Sequence, residues 1–161
     1  MTAKGTGATE PGRDETAEER LDRKFDDLLQ ELRVMQTGAQ LTAGFLLTLP
    51  FQESFEDLDR FQEALYLALV LLAAVTTALV LAPVAVHRRL SGGHVKERIV
   101  VAAHRLAYAA LTTIALLVAG MVVFIVDMVV DRAWAALAGG AVAAVLVLLL
   151  VVLPGRLAAA E

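Results

Sequence analysis

The sequence predicts an all-α membrane protein, with four antiparallel transmembrane helices and a cytoplasmic amphipathic helix at the N-terminus. Uncharged apolar runs occupy residues 34–52, 64–86, 106–126 and 133–155 of a chain that is 58% hydrophobic. A helix rises ~1.5 Å per residue, so runs of this length match the ~30 Å hydrocarbon core of a bilayer. Transmembrane β-strands would instead alternate in polarity over ~10 residues, a pattern that these uniformly apolar runs lack.

The N-terminal segment is polar and precedes the first apolar run. Residues 1–13 contain Gly, Thr and Pro without an apolar period, which predicts disorder. Residues 14–33 are expected to form the amphipathic helix, with a capping box from Thr16 to Glu19, and to continue unbroken into the first span. The apolar residues of this helix recur at spacings of three and four, which is typical of a heptad seam: Leu21, Phe25, Leu28, Leu32 and Met35.

Three hypotheses for this seam stay open. The seam packs on the basic loop of its own chain, pairs with the same seam of another subunit, or lies in the lipid headgroup layer. Anionic lipid surfaces repel acidic side chains, so the acids beside the seam disfavour the third hypothesis. These acids include Asp22, Asp26, Asp27 and Glu31.

The distribution of basic residues predicts how a transmembrane domain over residues 34–155 is oriented. Lys and Arg accumulate on the cytoplasmic side of membrane proteins. Six stand before the first run and five between the second and third, whereas the loop after the first run has Arg60 alone among five acids. Both termini, including the tail 156–161, are therefore expected in the cytoplasm. The predicted spans are 34–52, 64–86, 106–130 and 134–153.

Polar side chains form a stripe on the first span. On a helical wheel, an arc of about 120° contains Arg33, Gln36, Thr37, Gln40, Gly44 and Thr48. Lipid does not solvate such a stripe, so it is expected to face other helices or a water-filled cavity. Gln36, Thr37, Gln40 and Thr48 are thus the candidate intramembrane face. Hydrogen bonding between helices, with close approach at Gly44, is favoured over a polar substrate or ion path.

Asp127 and Asp131 form a candidate interfacial acid cluster at the end of the third span. An acid inside a span suggests a functional role. Asp127, however, stands 22 residues after Arg105, which is about 33 Å along a helix and predicts a position at the opposite interface. The sequence therefore favours an interfacial cluster over a midplane proton relay.

The loop between the second and third spans is basic, and Gly92-Gly93 marks a reversal within it. The candidate headgroup-binding residues of this loop are Arg88, Arg89, Lys96 and Arg98. Two other interpretations stay open. The charges act only as a positive-inside retention signal, or they pair with the acidic N-terminal segment.

The residues that several classes of function require are missing from this chain. There is no cysteine, so disulfides, thiolate metal sites and cysteine nucleophiles are excluded. The spacing of His87, His94 and His104 matches no compact metal motif. No nucleophile–base pair, phosphate-binding loop or basic surface for nucleic acid is evident. We expect no catalytic residues, no cofactor, no metal and no small-molecule substrate.

Several segments resemble a family of small, uncharacterised four-span membrane proteins of actinobacteria. The resemblance rests on the segment from Leu28 to Gln40, on Gly44-Phe45-Leu46-Leu47-Thr48-Leu49-Pro50-Phe51, and on Leu81-Ala82-Pro83 with His87, Arg88 and Lys96. It covers about residues 18–155. It implies a four-span fold in a bacterial inner (plasma) membrane. Members are sometimes labelled sodium:proton antiporter-like, without an established activity.

The sequence favours a non-enzymatic integral membrane protein that acts through self-assembly, lipid binding or partner binding. Membrane lipids and a second copy of the chain are the expected partners. The alternative is a small ion or solute transporter, cation/proton antiporter-like, that works as an oligomer. Transporters usually place ionisable groups near the midplane, and the first three apolar runs contain none.

Overall fold

The computed structural model describes the backbone of residues 17–90 and 96–159, and the side chains of residues 19–20, 23–86 and 101–159. Over these residues the chain forms helices and turns without a strand, so the all-α prediction is confirmed there. The predicted disordered tail 1–13 and the start of the capping box at Thr16 lie outside the described residues.

Four long helices follow one another along the chain. Their bounds are α1 Ala17–Thr48, α2 Arg60–Leu90, α3 Lys96–Val129 and α4 Arg132–Val147. Two short 3-10 turns, Leu49–Phe51 and Glu53–Phe55, connect α1 to α2. A π-helical turn, Leu148–Val152, joins α4 to the short α5, Leu153–Ala158. We attribute the π turn to Pro154, which has no amide hydrogen to donate to the preceding turn.

Among the described residues, three helical segments are long and apolar enough to cross a membrane: Arg60–Val86, Val101–Val129 and Arg132–Ala158. The sequence predicted four spans, and α1 is the one that does not reach this level of hydropathy. Its 32 residues include a charged first half, and its second half has the amides and hydroxyls of the polar stripe. Whether α1 crosses as well therefore depends on its packing.

The helices are arranged around α2 and α3, which pack against each other. α1 packs on both α2 and α3, whereas among the long helices described α4 packs on α3 alone. α4 and α1 therefore flank α3 without touching. Gly139 faces α3 so closely that an added Cβ would overlap Val123, and this glycine permits the close approach of the two helices.

Two buried clusters hold α1 along the length of the α2–α3 pair. In the first, Phe25, Leu28 and Leu32 of α1 pack on Val80 of α2 and on the alanines of the first half of α3. In the second, Leu46 packs near Tyr66 and Leu69 of α2 and Leu117 and Phe124 of α3. The described part of the heptad seam thus packs on its own chain. Its described contacts are with α2 and α3. The side chains of residues 87–100, which form most of the basic loop, lie outside the described residues.

Much of the remaining helical surface is apolar and points outward. In the most apolar window of the α4–α5 segment, only 6% of the residues are buried inside the chain. The ridge of Ala136, Gly140 and Ala144 also points outward, since Ala135 and Gly139 are the residues that α4 buries. A surface of this composition is what a lipid-facing helix presents.

Candidate functional site

The polar stripe of α1 lies on the outside of the chain. Thr37, Gln40, Gly44 and Thr48 are exposed, and Gln36 is half-buried at the edge of the stripe next to the packed surface. We call these five residues the polar face. The sequence favoured contact between this face and other helices. Among the described residues the exposed part of this face points away from α2 and α3, because α1 buries Leu32, Ala39 and Leu46 against them instead.

The hydroxyls and the amides of the polar face differ in their hydrogen bonding. Thr37 donates to the carbonyl of Arg33 at 3.0 Å, and Thr48 donates to that of Phe45 at 2.7 Å. Both hydroxyls are therefore satisfied by their own helix, a common arrangement in transmembrane helices. Gln36 and Gln40 have no hydrogen-bond partner among the described residues. Each amide offers two donors and one acceptor oxygen.

The two glutamines lie between the buried clusters along α1. Leu32 belongs to the cluster at one end of the bundle and Leu46 to the cluster at the other. Gln36 and Gln40 fall between them and are separated by one helical turn. There is room for another helix to approach α1 one turn beyond Gln40, since a Cβ added to Gly44 would meet nothing within 4 Å. The polar face is thus an open, hydrogen-bonding surface in the second, less charged half of α1.

A second polar site joins the two loops at the opposite end of the bundle from the α2–α3 connection. Arg132 Nη2 lies 2.7 Å from Asp59 Oδ2, and Arg132 Nε lies 3.3 Å from Asp127 Oδ1. Gln62 donates from Nε2 to Asp127 Oδ2 at 2.9 Å. The Arg132 guanidinium also stacks on Phe61, 4.1 Å from the ring centroid. We call Asp59, Gln62, Asp127 and Arg132 the loop clasp.

Asp59 also begins α2. Its Oδ1 accepts hydrogen bonds from the backbone amides of Phe61 and Gln62, and the Gln62 side chain accepts one from the Asp59 amide. This reciprocal pattern is a capping box. The hydrogen bond from the Gln62 backbone, aided by that from Arg132, holds the pKa of Asp59 below its usual value of 3.8.

The two predicted interfacial acids have separate roles. The Asp127 side chain is only 3% exposed and belongs to the loop clasp. Asp131 caps α4 by accepting hydrogen bonds from the amides of Ala133 and Trp134. The sequence reasoning missed Asp59, Gln62 and Arg132 as partners of Asp127. The spacing of Asp59 and Gln62 before an apolar run was a signal for the capping box, but the bridge to Asp127 is tertiary.

The side chains of the predicted headgroup loop, Arg88, Arg89, Lys96 and Arg98, lie outside the described residues. Among the side chains that are described, no three His, Asp or Glu residues come together as a metal site would require.

A family model matches residues 14–154, which is most of the chain. The chain belongs to DUF6328, a family of unknown function. The matched residues include all of α1 and the whole of the α2–α4 helical domain. The comparisons with curated proteins and with solved structures found no match. Membership of DUF6328 assigns neither an activity nor a source organism, so the functional argument rests on the polar face and the packing of the helices.

Proposed function

We propose that this DUF6328 chain is a non-enzymatic integral protein of a bacterial plasma membrane that works as a self-assembled oligomer. The polar face of α1 joins the subunits. The observation that carries the proposal is the pair of amides at Gln36 and Gln40, which have no partner among the described residues although α1 packs along two apolar, membrane-length helices.

The packing of α1 supports its placement in the membrane as a fourth span. Its contacts extend from Phe25 to Leu46, along both clusters of the α2–α3 pair. Tyr66 of α2 also donates a hydrogen bond to the backbone carbonyl of Leu46 at 3.1 Å. A helix fixed at both ends to membrane-spanning partners shares their depth. With four antiparallel spans, both termini lie on one side, and the positive-inside rule assigns that side to the cytoplasm.

A second copy of the chain is the simplest partner for the two amides. An unsatisfied amide in hydrocarbon is costly, and glutamine side chains commonly hydrogen-bond across transmembrane helices. Glutamine is self-complementary, since each side chain both donates and accepts. Two polar faces related by two-fold symmetry would pair Gln36 and Gln40 with their counterparts, with Gly44 leaving room for the backbones to approach.

The loop clasp favours assembly over transport. Asp127 is the buried carboxylate among the described residues, and Arg132 neutralises it near a helix end. A cation or proton carrier would need an ionisable group that is free to change partners within the span. The clasp instead uses its charges to fasten the first loop to the α3–α4 turn.

The test is the number of subunits in purified, full-length protein. The double variant Gln36→Leu/Gln40→Leu removes both amides from the polar face and leaves the packed side of α1 unchanged. We expect the parent to be oligomeric in nanodiscs or mild detergent and the variant to shift toward the monomer. Gln52→Leu removes an exposed amide outside α1 and should retain the parent's mass. Equal masses for the parent and the polar-face variant would contradict the proposal.

A further inference from the structure

One face of α3 lies open between α1 and α4. Because α4 contacts α3 but not α1 among the described helices, the gap between the two flanking helices forms a lateral trough. Its floor consists of residues from one face of α3: Val101, His104, Tyr108, Leu111, Thr112 and Ala115. We call this surface the α3 trough. It lies on the opposite side of α1 from the polar face.

One end of the trough is charged. Lys24, Asp27 and Glu31 of α1 stand opposite Arg105 of α3 around a cavity of about 540 Å³. Two of these side chains are cationic and two are anionic. Among the described residues, none of the four forms an ion pair or hydrogen bond with another side chain. Their charges are therefore available to a ligand.

The rest of the trough is apolar. Val34, Met35 and Leu111 line its middle, and Leu116 and Leu146 line its far part, where α4 forms the wall. The exposed Tyr108 borders both the charged and the apolar part. The distance from Tyr108 to Ala119, eleven residues along α3, is about 16 Å, close to half of the ~30 Å hydrocarbon core. The apolar part thus has the length of one leaflet.

We propose that the α3 trough binds one phospholipid of the cytoplasmic leaflet whose headgroup carries both a phosphate and an ammonium. Arg105 and Lys24 contact the phosphate, and Glu31 and Asp27 contact the ammonium. One acyl chain lies along Leu111 between α3 and α4. The described charges of the mouth balance, which favours a zwitterionic headgroup over an anionic one, because its two carboxylates repel a net negative lipid. The proposal rests on the membrane placement of the chain, not on its self-assembly.

The experiment is lipid retention by the full-length protein in native mass spectrometry, with phosphatidylethanolamine and phosphatidylglycerol of identical chains as probes. The parent should retain phosphatidylethanolamine preferentially. Asp27→Asn/Glu31→Gln should reverse that preference, by about fivefold or more, because the repulsion of phosphatidylglycerol is lost. Arg105→Gln should weaken retention of both lipids. Arg156→Gln, an exposed charge outside the trough, should behave as the parent.

A variant in the apolar part completes the test. Leu111→Trp fills the trough below the headgroup and should lower the retention of both lipids without changing the subunit count. Equal retention of the two lipids by the parent, or no effect of Asp27→Asn/Glu31→Gln, would overturn the proposal. A changed subunit count with unchanged lipid retention in Leu111→Trp would also overturn it, since a second copy would then occupy the trough. If the polar-face variant kept the parent's subunit count, that result would contradict the proposed oligomer and leave the lipid site unaffected.

Discussion

Removal of the Arg132 charge is expected to destabilise the fold more than removal of any other exposed charge among the described residues. Arg132 binds Asp127 and Asp59 at once, so it connects the end of α3, the start of α4 and the cap of α2. Arg132→Met keeps an unbranched apolar side chain and removes the guanidinium, together with its stacking on Phe61. The variant leaves Gln62 as the remaining hydrogen-bond partner of Asp127 among the described residues.

The magnitude follows from the burial of the two carboxylates. The Asp127 side chain is 3% exposed, and loss of one partner from a buried ion pair costs about 3–5 kcal/mol. The Asp59 side chain is 54% exposed, so water screens its ion pair with Arg132 and the pair contributes little. Because Arg132 itself is half exposed, water screens part of its attraction to Asp127. We therefore expect a total loss of about 2–3 kcal/mol in the free energy of unfolding.

The assay is unfolding in mixed micelles followed by far-ultraviolet circular dichroism, with the fluorescence of Trp134 as a local probe beside the clasp. In an Asp127→Asn background, Arg132→Met should cost less than about 1 kcal/mol, since no buried charge is left unpaired. Arg60→Met, at the same end of the bundle, is the matched control and should stay within about 0.5 kcal/mol of the parent. If Arg132→Met cost no more than Arg60→Met, the reasoning about the clasp would be refuted.

Three further predictions concern packing, pH and transport. Gly139→Ala should destabilise the protein by about 1–3 kcal/mol in the same assay, because the added Cβ overlaps the stiff, β-branched Val123. Gly140→Ala has open space around it and should be neutral. Equal effects of the two substitutions would contradict the close approach of α3 and α4. The lowered pKa of Asp59 implies a contribution to stability that is present above about pH 4 and is lost as the pH falls through the folded-state pKa. Asp59→Asn keeps the helix cap, and on acid titration it should lose less stability than the parent. An identical loss of stability in the two proteins would refute this role. Liposomes containing the protein should show no sodium or proton flux above that of empty liposomes, and cation-selective flux would favour the transporter alternative.

The helical content was predictable from the sequence because it depends on local composition. Long uncharged runs, basic loops and the absence of Gly or Pro between residues 16 and 37 sufficed to predict the described helices and the continuity of α1. The first loop was harder. Pro50 stands two residues after Thr48, the last residue of α1, and the connection forms two 3-10 turns instead of a longer helix.

The sites depend on tertiary contacts that periodicity does not encode. Asp59 and Arg132 are 73 residues apart, so their ion pair requires the loops to meet. The sequence also could not predict that the polar face points outward, because α1 has apolar residues on more than one side. Val34 and Leu41 are as apolar as Leu32 and Leu46, yet they are 75% and 73% exposed. Only the packing on α2 and α3 decides which side is buried.

Disulfide cross-linking in native membranes tests the central claim most directly. The chain contains no cysteine, so a disulfide between two copies that carry a single introduced cysteine must join that residue to its counterpart. Gly44 lies on the polar face and Gly38 does not; both are exposed with open space around them, and they are about 120° apart on the helix. Self-assembly through the polar face predicts efficient cross-linked dimers for Gly44→Cys and few for Gly38→Cys. Equal cross-linking at both positions, or the reverse preference, would contradict it.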